Sequence, residues 1–446
     1  MKDINQLLSL FRPDSAEEES IRKIVDFIFG RITAYCRENG LDADPVLVGS
    51  VAKGTNLRDG DIDVFVRFDR KYTRSKMEKL GLSIGHYVLE NGKEKYAEHP
   101  YVTGYIDKRK VDIVPCYIMK PGDRKLSAVD RTPLHTEYVK ANLDHAGRDE
   151  VRKLKLFMKY IGVYGADAII SGFSGYICEL LIVNMGSFQK TIDAFSHMRG
   201  KLRIGNPEIV EKFESAAIVI DPTDETRNAA AAISAENLSR MKFCSRLYAN
   251  GKLPDNGQNE SGGNKNKAER GTSIRIFRLR KPDLTDDILY PQVMRFKNSL
   301  WEIMERNDLR PVAWEICTEN HIEVLIESEN RAVPALKIHE GPPVDEPSSL
   351  DFYSKWMNMK KSRGPYISGD RLYVDLIRDQ KTVEDVVREG LKNVNIGKNI
   401  DDQKEAMEII DPLNSGKSFC VMEKFMSKFI FNSHPPEKTS RNTRSS

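Results

Sequence analysis

The sequence predicts a multidomain α+β protein in three parts: a mixed α/β head, a helical middle region and a C-terminal α+β region. Three observations lead there. Helical and strand patterns of apolar residues alternate up to residue 117, and helical spacing then dominates from about 148 to 250. A polar stretch rich in Gly and Asn (255–271, DNGQNESGGNKNKAERG) reads as a flexible loop or domain boundary, and a new strand-and-helix pattern follows it. A chain of 446 residues has room for roughly three domains of about 150 residues each.

The elements follow in order. Ile21, Ile24, Val25, Ile28, Ile32 and Tyr35 recur at helical spacing, which predicts a helix over 17–38 with Ser15 as its N-cap. Pro45 and Val46-Leu47-Val48 predict a short strand that Gly49-Ser50 ends. Arg58-Asp59-Gly60 is a turn signal, and a second strand runs from Asp61 to Phe68. A helix over 74–90 and a strand pair, 101–106 and 110–117, complete the head. In the middle region, Val151, Leu154, Phe157, Met158 and Ile161 form one apolar stripe, and 173–183 and 229–248 look similar. Beyond the polar stretch, Ile274–Leu279 reads as a strand and 286–307 as a helix. His321–Glu327 alternates in the manner of a half-exposed strand.

The composition is that of a globular protein, with 40% hydrophobic and 30% charged residues. A net charge of +3 neither argues for a nucleic-acid partner nor excludes one, because a local basic surface decides such binding. The six cysteines, at 36, 116, 178, 244, 317 and 420, form no C-x-x-C pair and fit no zinc spacing, so they read as buried or free reduced thiols. No signal-peptide pattern and no apolar run of the ~20 residues that span a bilayer is present, which predicts a cytoplasmic protein without a membrane partner.

The candidate site begins with Asp61 and Asp63. Two residues apart on a strand, they point to the same side, while Ile62 and Val64 point to the core. Carboxylates roughly 7 Å apart along a strand repel unless a cation joins them. Asp112 repeats the pattern between Val111 and Ile113. Three converging carboxylates are hard oxygen ligands suited to Mg²⁺ bound together with phosphates, and can hold two ions ~3.5–4 Å apart. A bare D-x-D is more often a pair of surface acids. Gly49 changes the weighing, since a glycine that ends a strand and opens a helix lets backbone amides approach a phosphate. Ser50 adds a hydroxyl, and Lys53 a counter-charge about one turn later. Gly49-x4-Gly54 resembles the start of a P-loop, but Thr55-Asn56 follows where Lys-Ser/Thr is required, so P-loop chemistry is excluded.

These segments carry a family resemblance. Gly-Ser-Val-Ala-Lys-Gly-Thr-Asn-Leu from Gly49, Asp-Ile-Asp-Val-Phe-Val from Asp61 and Val-Asp-Ile-Val-Pro-Cys-Tyr from Val111 are similar to the polymerase-β-type nucleotidyltransferases. More narrowly, the chain resembles the archaeal, class I CCA-adding enzymes. The supporting segments are 97–101 (AEHPY), 127–133 (SAVDRTP), 172–176 (GFSGY) and Asp221-Pro222, with weaker matches at 280–283 and 289–292. Class II enzymes would show Gly-Gly rather than Gly-Ser in the first loop. The resemblance implies a polymerase-β-like head (1–142), a helical nucleotide- and tRNA-binding domain (143–257), a C-terminal α+β tRNA-binding region of ferredoxin-like topology (270–435) and a disordered basic tail (436–446).

It also implies a reaction: stepwise, template-independent addition of C, C and A to a tRNA 3′ end from CTP and ATP. Asp61, Asp63 and Asp112 would be the catalytic metal ligands, with Mg²⁺ as cofactor and Asp112 oriented toward the primer hydroxyl. Gly49, Ser50 and Lys53 would hold the triphosphate. His135, Lys155 and Tyr164 match positions that contact the nucleotide's phosphates or ribose, and Arg227 the arginine that helps read the base edge. Some relatives carry arginine in place of Lys53, which changes the phosphate geometry but not the anchoring. Without the resemblance, His135, Lys155, Tyr164 and Arg227 read as a structural histidine, a solvated basic helix face, a packed aromatic and an ion pair. His86, His99 and His145 stay structural. Such relatives often form homodimers.

Two stretches are candidate RNA surfaces: 355–381, with Lys355, Trp356, Lys360, Lys361, Arg363, Tyr366, Arg371, Tyr373 and Arg378, and the basic helix residues Lys153, Lys155 and Lys159. A poly(A) polymerase or another RNA-terminal transferase would share the three acids. A non-catalytic RNA-binding protein on the same fold would have lost them, and all three are in place.

Overall fold

The computed structural model describes residues 3–58, 60–96, 99–119, 129–167, 169–253, 271–379, 381–415 and 417–426. Asp59 of the turn signal, Ala97-Glu98, Ser127-Ala128, nearly all of the 255–271 stretch and the 436–446 tail lie outside the described residues. The chain forms two compact units, Met1–Asn259 and Glu260–Ser446. Among the described residues no helix is long and apolar enough to cross a membrane.

The first unit opens with α1 (Ile4–Phe11) and α2 (Ser15–Glu38). Asp14, not Ser15, caps α2: its carboxylate accepts the Glu17 amide at 2.9 Å, and Ser15 is the first helical residue. An acid there also meets the positive end of the helix dipole. Next come β1 (Ala43–Val48), α3 (Gly49–Lys53), β2 (Ile62–Phe68), α4 (Arg74–Val88), β3 (Lys93–Tyr96), β4 (Pro100–Ile106) and β5 (Arg109–Tyr117). They build a five-stranded sheet in the order β1-β2-β5-β4-β3, in which only β2 and β5 run parallel. Asp61 lies one residue before β2 rather than within it.

Period-2 alternation explains this layer. Ile62, Val64, Val66 and Phe68 of β2 and Val111 and Ile113 of β5 are fully buried in one core with Ile28 and Ile32 of α2 and Met77 and Ile84 of α4. The alternate residues Asp63 and Asp112 therefore leave by the opposite face. β3 has no clear apolar alternation and was not legible in the sequence.

The middle of the unit holds α5 (Thr132–Asn142), α6 (His145–Tyr160), α7 (Gly175–Met185), α8 (Phe188–His197), β6 (Leu202–Ile204), α9 (Pro207–Val210), β7 (Ala217–Asp221), β8 (Asp224–Asn228) and α10 (Ala235–Ala249). It is not purely helical: β6, β7 and β8 form a small sheet in that order. Ser174 and Ser234 cap α7 and α10, so the helices begin later than apolar spacing alone predicts.

The second unit contains β9 (Ser273–Arg280), α11 (Asp286–Arg306), β10 (Pro311–Cys317), β11 (His321–Ser328), β12 (Leu336–Pro343), α12 (Ser348–Trp356), β13 (Ser362–Ser368), β14 (Arg371–Ile377), α13 (Val383–Leu391), β15 (Glu408–Ile410), α14 (Pro412–Ser415) and α15 (Cys420–Met426). A four-stranded antiparallel sheet has the order β10-β11-β9-β15, and β12-β14-β13 form a second, three-stranded sheet.

The expectation of a half-exposed strand at 321–327 is corrected, because β11 is buried throughout after His321. One face, with Ile322, Val324 and Ile326, meets a core that includes residues of α11 and α13, and Leu325 on the other meets Phe419, Val421 and Phe425. The glutamates of the strand have specific partners: Glu323 pairs with Arg278 at 2.7 Å, and Glu327 accepts a hydrogen bond from the Thr272 hydroxyl at 2.6 Å. The expectation of six free thiols is corrected as well. Cys317 and Cys420 form a disulfide, since the end of β10 and the start of α15 bring together positions 103 apart in sequence, and Cys36, Cys116, Cys178 and Cys244 are free and buried.

Candidate active site

In the parallel pair β2/β5, Asp63 stands directly opposite Asp112. Lys110, two residues before Asp112, donates to Asp61 Oδ2 at 2.7 Å and to Asp112 Oδ2 at 3.1 Å. Thr103 lies opposite Asp112 on β4, and its hydroxyl donates to Asp112 Oδ1. The three aspartates are thus gathered on one face, although their oxygens do not all lie within 4.8 Å of one another, a spacing that among the described residues only Cys317, Glu319 and Cys420 meet.

Burial, and then the charges of Asp112 and Asp61, push the Asp63 carboxyl up to about 7, against the pull of Lys110 and Lys53. Burial works against the charge on Lys110, yet its hydrogen bond to Asp61 and the charge of Asp112 raise it above the ordinary lysine value. These oxygen donors fit a hard divalent cation, which would relieve the repulsion that raises Asp63. Lys110 was missed in the sequence, and its i, i+2 relation to Asp112 on a strand was the available signal.

Gly49 sits at φ +71°, and a Cβ there would lie 2.0 Å from Asp63 Oδ2. A side chain is excluded both by the left-handed backbone and by the carboxylate. The turn places Ser50 in α3, one residue beyond that glycine.

Lys53 ends α3 and is buried. Its Nζ donates to Glu179 Oε2 at 2.6 Å, and the Thr55 hydroxyl donates to Glu179 Oε1 at 2.6 Å. Lys155 donates to the Thr55 carbonyl at 3.0 Å and lies 3.9 Å from Glu179. A Cβ on Gly175 would lie 3.1 Å from Tyr164 Oη and 3.5 Å from Lys155 Nζ, so Tyr164 belongs to the same cluster. Burial raises the Tyr164 phenol and lowers the Lys155 ammonium.

The reading of Lys153, Lys155 and Lys159 as one solvated face is corrected: α6 turns Arg152 and Lys155 inward, and Lys155 is 2% exposed. Glu179, the acid that holds both lysines, was missed. It is the only charged residue within α7 (GYICELLIVNM), and that isolation was the signal.

His135 and Arg227 meet on a second buried acid, Asp221. His86, His99 and His145 pair with Glu94, Glu78 and Arg12. The 355–381 group divides. Trp356 is buried against His339 and Phe352, Arg371 pairs with Glu340, Arg378 with Asp308 and Lys361 with Asp379. Tyr366 and Tyr373 stack at 6.1 Å, with Arg363 exposed on the same strand as Tyr366.

Together, a divalent-ion-ready carboxylate face beside a glycine-opened helix and a lysine cluster define a phosphoryl-transfer site of the nucleotidyltransferase class. Comparison with known proteins agrees. The nucleotidyltransferase domain model matches 30–135, the tRNA nucleotidyltransferase second-domain model 149–255, and the CCA-adding enzyme C-terminal domain model 270–411. CCA-adding enzymes of Thermoplasma acidophilum and Thermoplasma volcanium are 48% and 46% identical, each over 97% of this chain and over 100% and 98% of their own lengths. That of Picrophilus torridus is 45% identical over 97% of this chain and 100% of its own. The chain belongs to the CCA-adding enzyme family.

Proposed function

We propose that this chain adds C, C and A to the 3′ end of tRNA from CTP and ATP without a template, releasing pyrophosphate at each step, in the cytoplasm. The observation that carries the reading is the opposition of Asp63 and Asp112 beside Gly49, in a chain that aligns over nearly its whole length with CCA-adding enzymes. Asp61, Asp63 and Asp112 are the residues that would hold Mg²⁺. The ion when bound would activate the attacking 3′-hydroxyl and offset the charge of the triphosphate.

The chain's own residues do the rest. Thr103 fixes one oxygen of Asp112 and thereby its rotamer, so that the carboxylate is set toward the primer hydroxyl. The amides opened by Gly49, with the Ser50 hydroxyl, receive triphosphate oxygens. Lys53 and Lys155 against the single carboxylate of Glu179 leave a net positive charge beside them. Tyr164 and His135 line the nucleotide, and Arg227 reads the base edge. The order β10-β11-β9-β15, with α11 and α13 as crossovers, supports a ferredoxin-like C-terminal region, and the exposed Tyr366 and Arg363, with half-buried Tyr373 stacked on Tyr366, support an RNA-facing role there. Two copies of the chain act as a homodimer.

The test supplies purified protein with tRNA lacking its last three nucleotides, labelled CTP and then ATP. Two C and one A are expected. Long A-tails on any RNA would identify a poly(A) polymerase instead.

A further inference from the structure

The Asp221-Pro222 segment has no role in the reaction as described, yet Asp221 anchors two residues assigned to the nucleotide. It ends β7 and is fully buried. Its Oδ2 accepts from His135 Nε2 and from Arg227 Nη1, each at 2.9 Å. Its Oδ1 accepts from the Tyr176 hydroxyl at 3.1 Å and from the Thr223 amide and hydroxyl at 2.9 and 2.8 Å. The Tyr176 ring stacks on the His135 imidazole at 4.0 Å and 19°, and Lys53 Nζ lies 5.6 Å above that tyrosine.

Every acceptor direction of this carboxylate is therefore used, and none faces outward. Arg227, by contrast, keeps a third of its side chain exposed, so its free guanidinium nitrogens can meet a ligand while one is held. A carboxylate can satisfy two donors on one oxygen and three on the other; an amide of the same shape loses the charge and turns an N–H toward a cation.

We propose that Asp221 is a positioning residue that sets base selection by fixing Arg227 and His135 to one oxygen. Sharing that oxygen makes the two contacts one unit: a nucleotide that displaces the arginine also disturbs the histidine and its stacked tyrosine. The inference rests on the proposed contacts of Arg227 and His135 with the nucleotide.

The test uses the full-length chain with two tRNA substrates, one lacking CCA and one ending in CC, and measures kcat and KM for CTP, ATP and UTP. Losing a hydrogen bond to a charged group corresponds to about a ten- to hundredfold effect. D221N should raise KM for CTP and ATP by about that factor, change kcat less and increase UTP incorporation relative to CTP. In an R227A background the same change should add no further loss of discrimination, because the base-reading group is gone, although KM should still rise through the remaining anchored group, His135. T223V, which removes one bond to Asp221 and no bond to the nucleotide, should show the same pattern at smaller size, and it decides the matter if D221N fails to fold. If H135A and R227A raise KM while folded D221N and T223V do not, Asp221 is merely structural and the proposal falls. If H135A and R227A leave nucleotide KM unchanged, the underlying contacts are wrong and the proposal falls with them.

Discussion

Asp63 and Asp112 are register partners across the parallel strands β2 and β5, although 48 residues of chain lie between them. Burial, and then the charges of Asp112 and Asp61, push the Asp63 carboxyl up to about 7. Removing either should abolish nucleotide addition and leave the fold in place, because both leave the sheet on the face away from the core. D63A and D112A should lose more than the about 10- to 100-fold typical of an outer-shell change to a metal site. Filter binding should show tRNA affinity within a few-fold of the parent. Equal loss of binding and activity would point to misfolding.

Metal affinity should depend on pH through Asp63. Its folded-state value of about 7 lies above the ordinary 3.8. Divalent ions bind the ionised form, so binding releases a proton below pH 7. Affinity should fall as pH drops through that value, by at most about tenfold per unit, and level off above it. In the metal-free protein the sign is opposite for stability: the raised carboxyl favours the fold at low pH, and that contribution is lost as pH rises from about 4 to 7. Calorimetric titration with Mg²⁺ at several pH values checks the first statement. D112N should move the inflection downward, since one of the repelling charges is gone.

G49A should damage the site by displacing the Asp63 carboxylate, with no metal-ligand side chain removed. A Cβ would meet Asp63 Oδ2 at 2.0 Å, and alanine resists a φ of +71°. The backbone cost alone is about 1–3 kcal/mol. Activity should fall with Asp63 displaced, and thermal unfolding should drop by several degrees. An active, undestabilised G49A would contradict this packing.

Glu179 should be a stability residue as much as a site residue. It is fully buried between Lys53, Lys155 and Thr55. E179A would leave the buried ammonium of Lys53 without its carboxylate partner, at a cost of about 3–5 kcal/mol. E179Q should cost less, because the amide still accepts from Thr55. A denaturant series comparing the two variants with the parent gives the order, and equal stabilities would refute it.

Much of the site was legible because strand chemistry is local. The two-residue spacing of Asp61 and Asp63, the apolar neighbours of Asp112 and the glycine before Ser50 predict the face and the turn. Period-2 alternation in β2 and β5 determined which residues are core, and helical spacing found α2, α6 and α11. What the sequence could not determine was set by contacts between distant segments. The parallel register of β2 and β5 depends on how the whole sheet closes. Lys155 looked solvated because helical periodicity does not reveal a buried acid on α7, and β7 was hidden because a run of four apolar residues suits a strand or a helix equally. Asp221 and Glu179 acquire their roles only when donors separated by scores of residues converge on them, and Cys317 meets Cys420 only once β10 and α15 pack.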